Sequence, residues 1–204
     1  MAWEESQIET LANGGWSTTS DLGYRVEVEE GWVLTYLLSL VPCETAADTG
    51  ALAWLGWVLG SPALADHAPF SDPSLVELSA VEAFDAPRTL GLGPFGFPEQ
   101  TYCSVYWLVA RGEPDTTAAG TSLRISGTWQ RGAETGLVDI DTDFALALIE
   151  DIPPINLDQS ELQVTLTRPL ATLFDGIDFA QANSYQQSWK TLSNLVEGTD
   201  ISTE

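Results

Sequence analysis

The sequence predicts an all-β chain: an antiparallel β-sandwich, or alternatively a barrel, with one long loop insertion and a short C-terminal helix. Three observations lead to this prediction. Apolar or alternating segments rich in β-branched and aromatic residues recur along the chain between turn-forming residues. The sequence shows neither βαβ alternation nor a repeat of fixed period. The spacing of apolar residues changes to a helical period only near the C-terminus.

Two early segments are predicted to be strands. Residues 23–29 alternate apolar and polar side chains, which is typical of a strand half exposed to water. Residues 32–41 are almost wholly apolar and indicate a buried strand. Glu30-Gly31 between them is predicted to be a turn.

The clearest strand prediction covers residues 101–110, which lie between two proline-containing connections and include Cys103. Alternating strands are then expected over residues 122–129, 137–144 and 161–168, and the last of these ends before Pro169.

We expect a single domain over residues 1–204. Residues 1–20 are predicted to be a polar extension, and residues 44–100 a loop-rich insertion in which residues 75–78 could form a short strand. Residues 184–197 are predicted to be the helix, with one apolar face. The residues of that face are Tyr185, Trp189, Leu192 and Val196.

The charge of the chain restricts its partners. Thirty acidic residues against seven basic ones give a formal charge of -23, and the acidic residues are dispersed. Nucleic acids and anionic membrane surfaces would be repelled, whereas metal cations, other surface proteins or further copies of the chain remain as partners. No apolar run is long enough to form a transmembrane segment. The first residues lack a basic region followed by an apolar stretch, so no signal peptide is expected there.

The two cysteines, Cys43 and Cys103, have neither the spacing of a metal site nor that of a C-x-x-C motif. Each lies in or directly after a strand-like segment, and the pattern favours a disulfide between them. Such a bond indicates an oxidising compartment, so we expect a secreted, periplasmic or cell-surface protein.

Two motifs imitate ligand-binding loops. Residues 91–96 match G-x-G-x-x-G in letters, but Pro94 and Pro98 bracket the supposed helix start, and the strand-loop-helix context of a dinucleotide site is missing. Asp139, Asp141 and Asp143 are spaced like calcium ligands, but Phe144 stands where an EF-hand loop needs glycine. The three aspartates therefore indicate either a solvated strand face or a weak calcium site.

No catalytic constellation is evident in the sequence, so we expect a protein that is not an enzyme. Nucleophilic catalysis of the serine or cysteine type would need His67, the single histidine, and no G-x-S-x-G motif accompanies it. His67 follows Asp66 in a proline-rich stretch, where an imidazole with a neighbouring carboxylate could serve as a metal ligand.

Four segments carry a family resemblance that spans most of residues 24–197. They are residues 36–43, 65–67, 102–106 and 173–179. With these segments the chain resembles secreted β-rich bacterial proteins that occur as lipoproteins of deltaproteobacteria. That family is more loosely related to the surface and periplasmic copper-binding proteins of methanotrophs, the MopE and CorA type.

The resemblance implies a copper site. In the methanotroph proteins, copper is held by two histidines and a tryptophan oxidised to kynurenine. His67 matches one histidine position, with Asp66 beside it, whereas Tyr106 stands where the deltaproteobacterial relatives often have histidine. The tryptophans nearest these segments are Trp54, Trp57 and Trp107. The expected function is thus a non-catalytic metal-binding protein, with copper as the metal. The alternative is a structural, adhesive or filament-forming surface protein whose metal site has decayed.

Overall fold

The computed structural model describes residues 2–3, 8–12, 14–43, 75–84, 97–116, 118–157 and 163–203. Strands dominate these ranges, with one α-helix, α1 (Ser184–Glu197). The strands are β1 (Ala2–Trp3), β2 (Glu9–Thr10), β3 (Trp16–Thr19), β4 (Arg25–Pro42), β5 (Leu75–Ala83), β6 (Thr101–Val109), β7 (Leu123–Arg131), β8 (Glu134–Thr142), β9 (Leu146–Asn156), β10 (Val164–Arg168) and β11 (Asp200–Thr203).

Strand β4 is 18 residues long and runs through the position where the sequence predicted a turn. The prediction of a turn at Glu30-Gly31 is wrong because the irregularity there is a β-bulge, a shift in the pairing with β7 between Val28 and Glu30. Gly31 serves close packing: a Cβ at this position would lie 2.8 Å from Cδ2 of the buried Phe84. The glycine therefore lets β5 approach β4 without ending the strand.

The long β4 organises an open eight-stranded sheet. Strands β5 and β7 both pair with β4 at Trp32 and Val33, so they lie on its two opposite edges. The pairings of β3 and β6 with β4 place β3 on the same edge of β4 as β5, and β6 on the same edge as β7. Strand β8 continues the sheet beyond β7, and β9 continues it beyond β6. The sheet does not close on itself, which rules out the barrel alternative for the described ranges. A second, three-stranded sheet has the order β1-β10-β11.

The main core is built by alternate residues of these strands together with one side of α1. On β7, the inward side chains include Leu123, Ile125 and Trp129. Between them, Gly127 allows close contact with β4, because a Cβ there would lie 2.0 Å from the carbonyl oxygen of Glu27. Period-two patterning thus fixes which face of each strand is buried.

Two strand predictions have the wrong extent. The expected short strand at residues 75–78 continues to Ala83, so part of the predicted insertion belongs to the sheet. The expected strand over residues 137–144 starts at Glu134 and ends at Thr142. The apolar residues after it belong to β9, which pairs with β6 at the edge of the sheet and contains Pro153 and Pro154. Proline is compatible with a strand at such an edge because no neighbour needs its missing N–H there.

Helix α1 confirms the predicted C-terminal helix. Asn183 caps it through a capping box with Gln186, and Gly198 lies at its C-terminal end. On the predicted apolar face, Leu192 and Val196 are buried, whereas Tyr185 and Trp189 are 63% and 44% exposed. The remaining buried positions are taken by Leu195 and by three small polar residues, Ser188, Thr191 and Ser193. Among the described helices, none combines the length and apolar character needed to cross a membrane.

Candidate functional site

Of the residues proposed to hold copper, Tyr106 is the one that the structure describes. Asp66 and His67 lie outside the described residues, as do Trp54 and Trp57. Tyr106 is in the middle of β6, opposite Ser39 of β4 and Ile149 of β9. Its half-buried side chain has a raised pKa, caused by burial. Burial therefore disfavours the phenolate, the form of tyrosine that ligates metal ions, relative to an exposed tyrosine.

Trp107 lies on the opposite face of β6 from Tyr106, because successive side chains of a strand alternate. It is fully buried, and its indole Nε1 donates a hydrogen bond of 3.2 Å to the hydroxyl oxygen of Thr35. The guanidinium carbon of Arg168 lies 3.8 Å from the centre of its ring. Tyr106 and Trp107 consequently face different surroundings, and Trp107 belongs to the core.

The disulfide between Cys43 and Cys103 is present, as the sequence predicted. The two Cα atoms are 4.8 Å apart, and 60 positions separate the cysteines in the sequence. Cys103 occupies a bulge, since β4 pairs with Ser104 and then with Tyr102. The bond holds the end of β4 against the start of β6, where the ladder is interrupted.

Of the three aspartates of the possible calcium site, Asp139 and Asp141 lie in β8, and Asp143 directly follows the strand. Asp139 and Asp141 are exposed and alternate with the buried Val138 and Ile140. Asp141 lies opposite Arg124 in the ladder and accepts a hydrogen bond of 3.2 Å from the Thr121 hydroxyl. In the described ranges, no group of three or more histidine, cysteine or acidic side chains is arranged to hold a metal ion.

Among the charged side chains of the described residues, Arg168 and Glu82 are the most deeply buried, and sequence reasoning missed this pair. Nη2 of Arg168 lies 2.8 Å from Oε1 of Glu82, and Nε lies 3.2 Å from Oε2. The burial of Arg168 could have been predicted from the sequence. Arg168 lies two residues after Leu166 and therefore on the same, buried face of the strand. Glu82 lies between the apolar Val81 and Ala83, in a stretch that gave no firm strand prediction.

Further hydrogen bonds connect this ion pair to other elements. Thr35 donates its hydroxyl hydrogen to Glu82 and accepts a bond of 3.1 Å from Nη2 of Arg168. Nη1 of Arg168 donates to the hydroxyl of Thr199, just after α1. The group therefore links β4, β5, β10 and the C-terminal segment. Because its members are buried and engaged with one another, the arrangement is suited to fixing the packing of these elements.

The carboxylates of the segment 173–179 also hold the fold together. Two hydrogen bonds join Asp21 to the turn at Asp175. The backbone N–H of Asp21 donates to the Asp175 carboxylate at 2.9 Å, and the backbone N–H of Gly176 donates to the Asp21 carboxylate at 2.7 Å. Asp178 accepts a hydrogen bond from the buried Tyr24 hydroxyl. The pKa of Tyr24 is raised, mainly by burial and secondly by this hydrogen bond. The turn before β4 is thereby attached to the turn before α1.

A group of three aromatic side chains lies at the surface where α1 crosses the β8–β9 connection. Phe144 is half-buried, and its ring centre lies 5.2 Å from that of Tyr185 and 5.9 Å from that of Trp189, both in edge-to-face contact. We call Phe144, Tyr185 and Trp189 the aromatic ridge. The sequence placed Tyr185 and Trp189 on one helix face with Leu192 and Val196, which are buried. Both rings are thus exposed at the surface, although tyrosine and tryptophan are among the more buried residue types on average.

No family model, no curated protein and no solved structure matches this sequence.

Proposed function

We propose that the chain is a non-catalytic protein of the cell surface or extracellular space, which acts by attaching to a partner through its surface. The observation that carries this proposal is the exposure of Tyr185 and Trp189 on a helix whose other side is buried in the core. Tyrosine and tryptophan contribute most to binding at protein interfaces, because they bury a large area with few rotatable bonds.

The scaffold beneath the ridge supports the same proposal. The disulfide and the buried ion pair hold β4, β5, β6 and β10 together. A ridge carried on an element packed against such a framework needs little ordering on binding, which lowers the entropic cost of association. The disulfide also fits an oxidising compartment outside the cytosol.

An adhesion measurement tests this function. The purified disulfide-bonded protein would be passed over three films: a neutral polysaccharide, a cationic polypeptide and an anionic polysaccharide. We expect adhesion to at least one film and its loss in the double variant Tyr185→Ser/Trp189→Ser. The matched control is Leu22→Ser, which removes another exposed apolar side chain, from the turn before β4. Equal adhesion of the wild type and the double variant on every film would refute the proposal.

Copper binding remains a second candidate function, and the sequence pair Asp66-His67 favours it. The proposal is that His67 supplies the imidazole ligand and that Asp66 orients it. The burial and raised pKa of Tyr106 limit what this residue can contribute at neutral pH.

A further inference from the structure

We infer that the pair Asp175-Gly176 is a latent site of covalent modification, at which Asp21 prevents isomerisation of the aspartate to isoaspartate. It is the single Asp-Gly pair of the sequence. The pair lies in a surface turn before α1, where Asp175 is half-buried and Gly176 is exposed. An aspartate rearranges most readily when glycine follows it, because glycine has no Cβ to obstruct its own nitrogen and changes conformation at little cost. The turn therefore contains a reactive pair that water reaches.

The rearrangement needs no reactant other than water. The backbone nitrogen of Gly176 attacks Cγ of the protonated Asp175 carboxyl group. The N–Cγ bond forms, and the carboxyl hydroxyl leaves as water together with the amide hydrogen. Water then opens the resulting five-membered succinimide ring at one of its two carbonyl groups. Opening at the backbone carbonyl of Asp175 leaves the chain running through Cβ and Cγ, which is isoaspartate, with the same mass as aspartate.

Asp21 forms hydrogen bonds with both reacting groups. The attacking nitrogen, the backbone N–H of Gly176, donates to Oδ1 of Asp21 at 2.7 Å. The group under attack, the Asp175 carboxylate, accepts from the backbone N–H of Asp21 at 2.9 Å. Attack requires the peptide plane to rotate about the Cα–C bond of Asp175, which breaks the first bond, and a bond to a carboxylate is among the stronger ones. Asp21 therefore raises the barrier to cyclisation.

The turn itself requires the reactive pair. Gly176 has a φ of 72°, which other residues rarely adopt, and the Cε atom of Lys190 lies 3.1 Å from where a Cβ would be. Asp175 supplies the acceptor for the N–H of Asp21. Asn194 holds the same peptide from the helix, since its Nδ2 donates to the carbonyl oxygen of Asp175 at 2.9 Å. Rotation of the peptide plane would break this bond as well.

Storage of the folded, disulfide-bonded protein at neutral pH, followed by peptide mapping with mass spectrometry, tests the inference. Isoaspartate is identified by its altered elution and its electron-transfer fragments. Asp21→Ala removes the acceptor of the Gly176 N–H, and we expect isoaspartate at Asp175 to accumulate about tenfold faster than in the wild type. Asp21→Asn keeps an oxygen acceptor without the charge and should give an intermediate rate. The urea-unfolded wild type gives the rate of the unprotected pair, and the folded wild type should remain well below it.

Two controls separate the loss of this contact from a general loosening of the fold, with all variants kept at a temperature at which they are folded. Tyr24→Phe removes the neighbouring hydrogen bond to Asp178 and leaves those of Asp21 in place, while Asp143→Ala removes an exposed carboxylate elsewhere. Both should isomerise at the wild-type rate. If Asp21→Ala isomerises no faster than the wild type, or the folded wild type as fast as the unfolded chain, the inference is wrong. An equal acceleration in Tyr24→Phe would also overturn it.

Discussion

Arg168 of β10 and Glu82 of β5 form a two-point ion pair with both side chains almost completely buried. Strands β5 and β10, which are far apart in the sequence, are thus joined in the protein interior by two opposite charges. Apolar side chains usually occupy such buried positions. A buried pair of this kind adds little net stability compared with apolar residues, but it makes other packing arrangements costly, since each charge would then lose its partner.

The first prediction concerns this pair. Arg168→Met and Glu82→Leu should each lower the free energy of unfolding by about 3–5 kcal/mol, because each leaves one buried charge without its partner. The combined variant Glu82→Leu/Arg168→Met should recover most of that loss. Denaturant unfolding of the four proteins measures the coupling. Additive losses in the combined variant would contradict the role assigned to the pair.

The same pair shows where sequence reasoning reaches its limit. The strands with clean alternation, such as residues 122–129, were predicted well because burial on one face leaves a period of two in the sequence. Glu82 could not be identified because an acidic residue between apolar ones is usually placed on the solvent side. Its burial depends on Arg168, 86 positions later in the sequence.

The wrong turn prediction at Glu30-Gly31 and the unforeseen exposure of Tyr185 and Trp189 have a common cause. Gly31 was assigned to a turn because glycine usually marks one, but its small size serves contact with Phe84. Periodicity placed Tyr185 and Trp189 on one helix face with Leu192 and Val196, but it does not report how much of that face the sheet covers. Both outcomes depend on tertiary neighbours that are distant in sequence. The Cys43–Cys103 bond was predictable because the chain has only these two cysteines.

The second prediction concerns the disulfide. Replacing both cysteines, Cys43→Ala/Cys103→Ala, should lower the free energy of unfolding by up to about 4 kcal/mol, since the bond closes a long loop in the unfolded chain. Unfolding of the oxidised wild type, the reduced wild type and the double variant gives the comparison. The reduced wild type and the variant should agree. A variant as stable as the oxidised protein would show that the bridge contributes no stability.

The third prediction concerns alkaline pH. The pKa of Tyr24 is raised, mainly by burial and then by its bond to Asp178, so folding favours the protonated phenol. This contribution is fully present below the unfolded-state pKa of about 10 and is lost as the pH rises through the folded-state pKa. Tyr24→Phe should therefore show a shallower decrease in unfolding free energy above that pH. The exposed Tyr185→Phe serves as the control, and equal alkaline profiles for the wild type and Tyr24→Phe would contradict this account.

The fourth prediction concerns calcium at Asp139, Asp141 and Asp143. We expect weak binding at most, since Phe144 occupies the glycine position of a tight calcium loop. The guanidinium of Arg124 opposite Asp141 further disfavours a cation. Calorimetric titration of the wild type and of Asp141→Asn should give similarly small heats. A submicromolar site that disappears in Asp141→Asn would establish a calcium site instead.

The last prediction concerns copper. If His67 supplies the anchoring imidazole, His67→Ala should abolish the binding of cupric ion, because neutral imidazole is the strongest candidate ligand that the chain offers. Tyr106→His should strengthen binding by providing a second imidazole where the resembling proteins often have one. Tyr106→Phe should change the affinity little, since burial raises the pKa of the phenol and so disfavours the phenolate that would ligate the ion. Titration against a competing chelator measures all three variants.

Each outcome of that titration decides a separate point. Unchanged affinity in His67→Ala would remove the metal-binding hypothesis and leave attachment through the aromatic ridge as the function. Weaker binding in Tyr106→Phe would show that the phenol ligates copper despite its raised pKa. Stronger binding in Tyr106→His together with loss in His67→Ala would place both residues at one site, because a second imidazole can help only if it reaches the same ion.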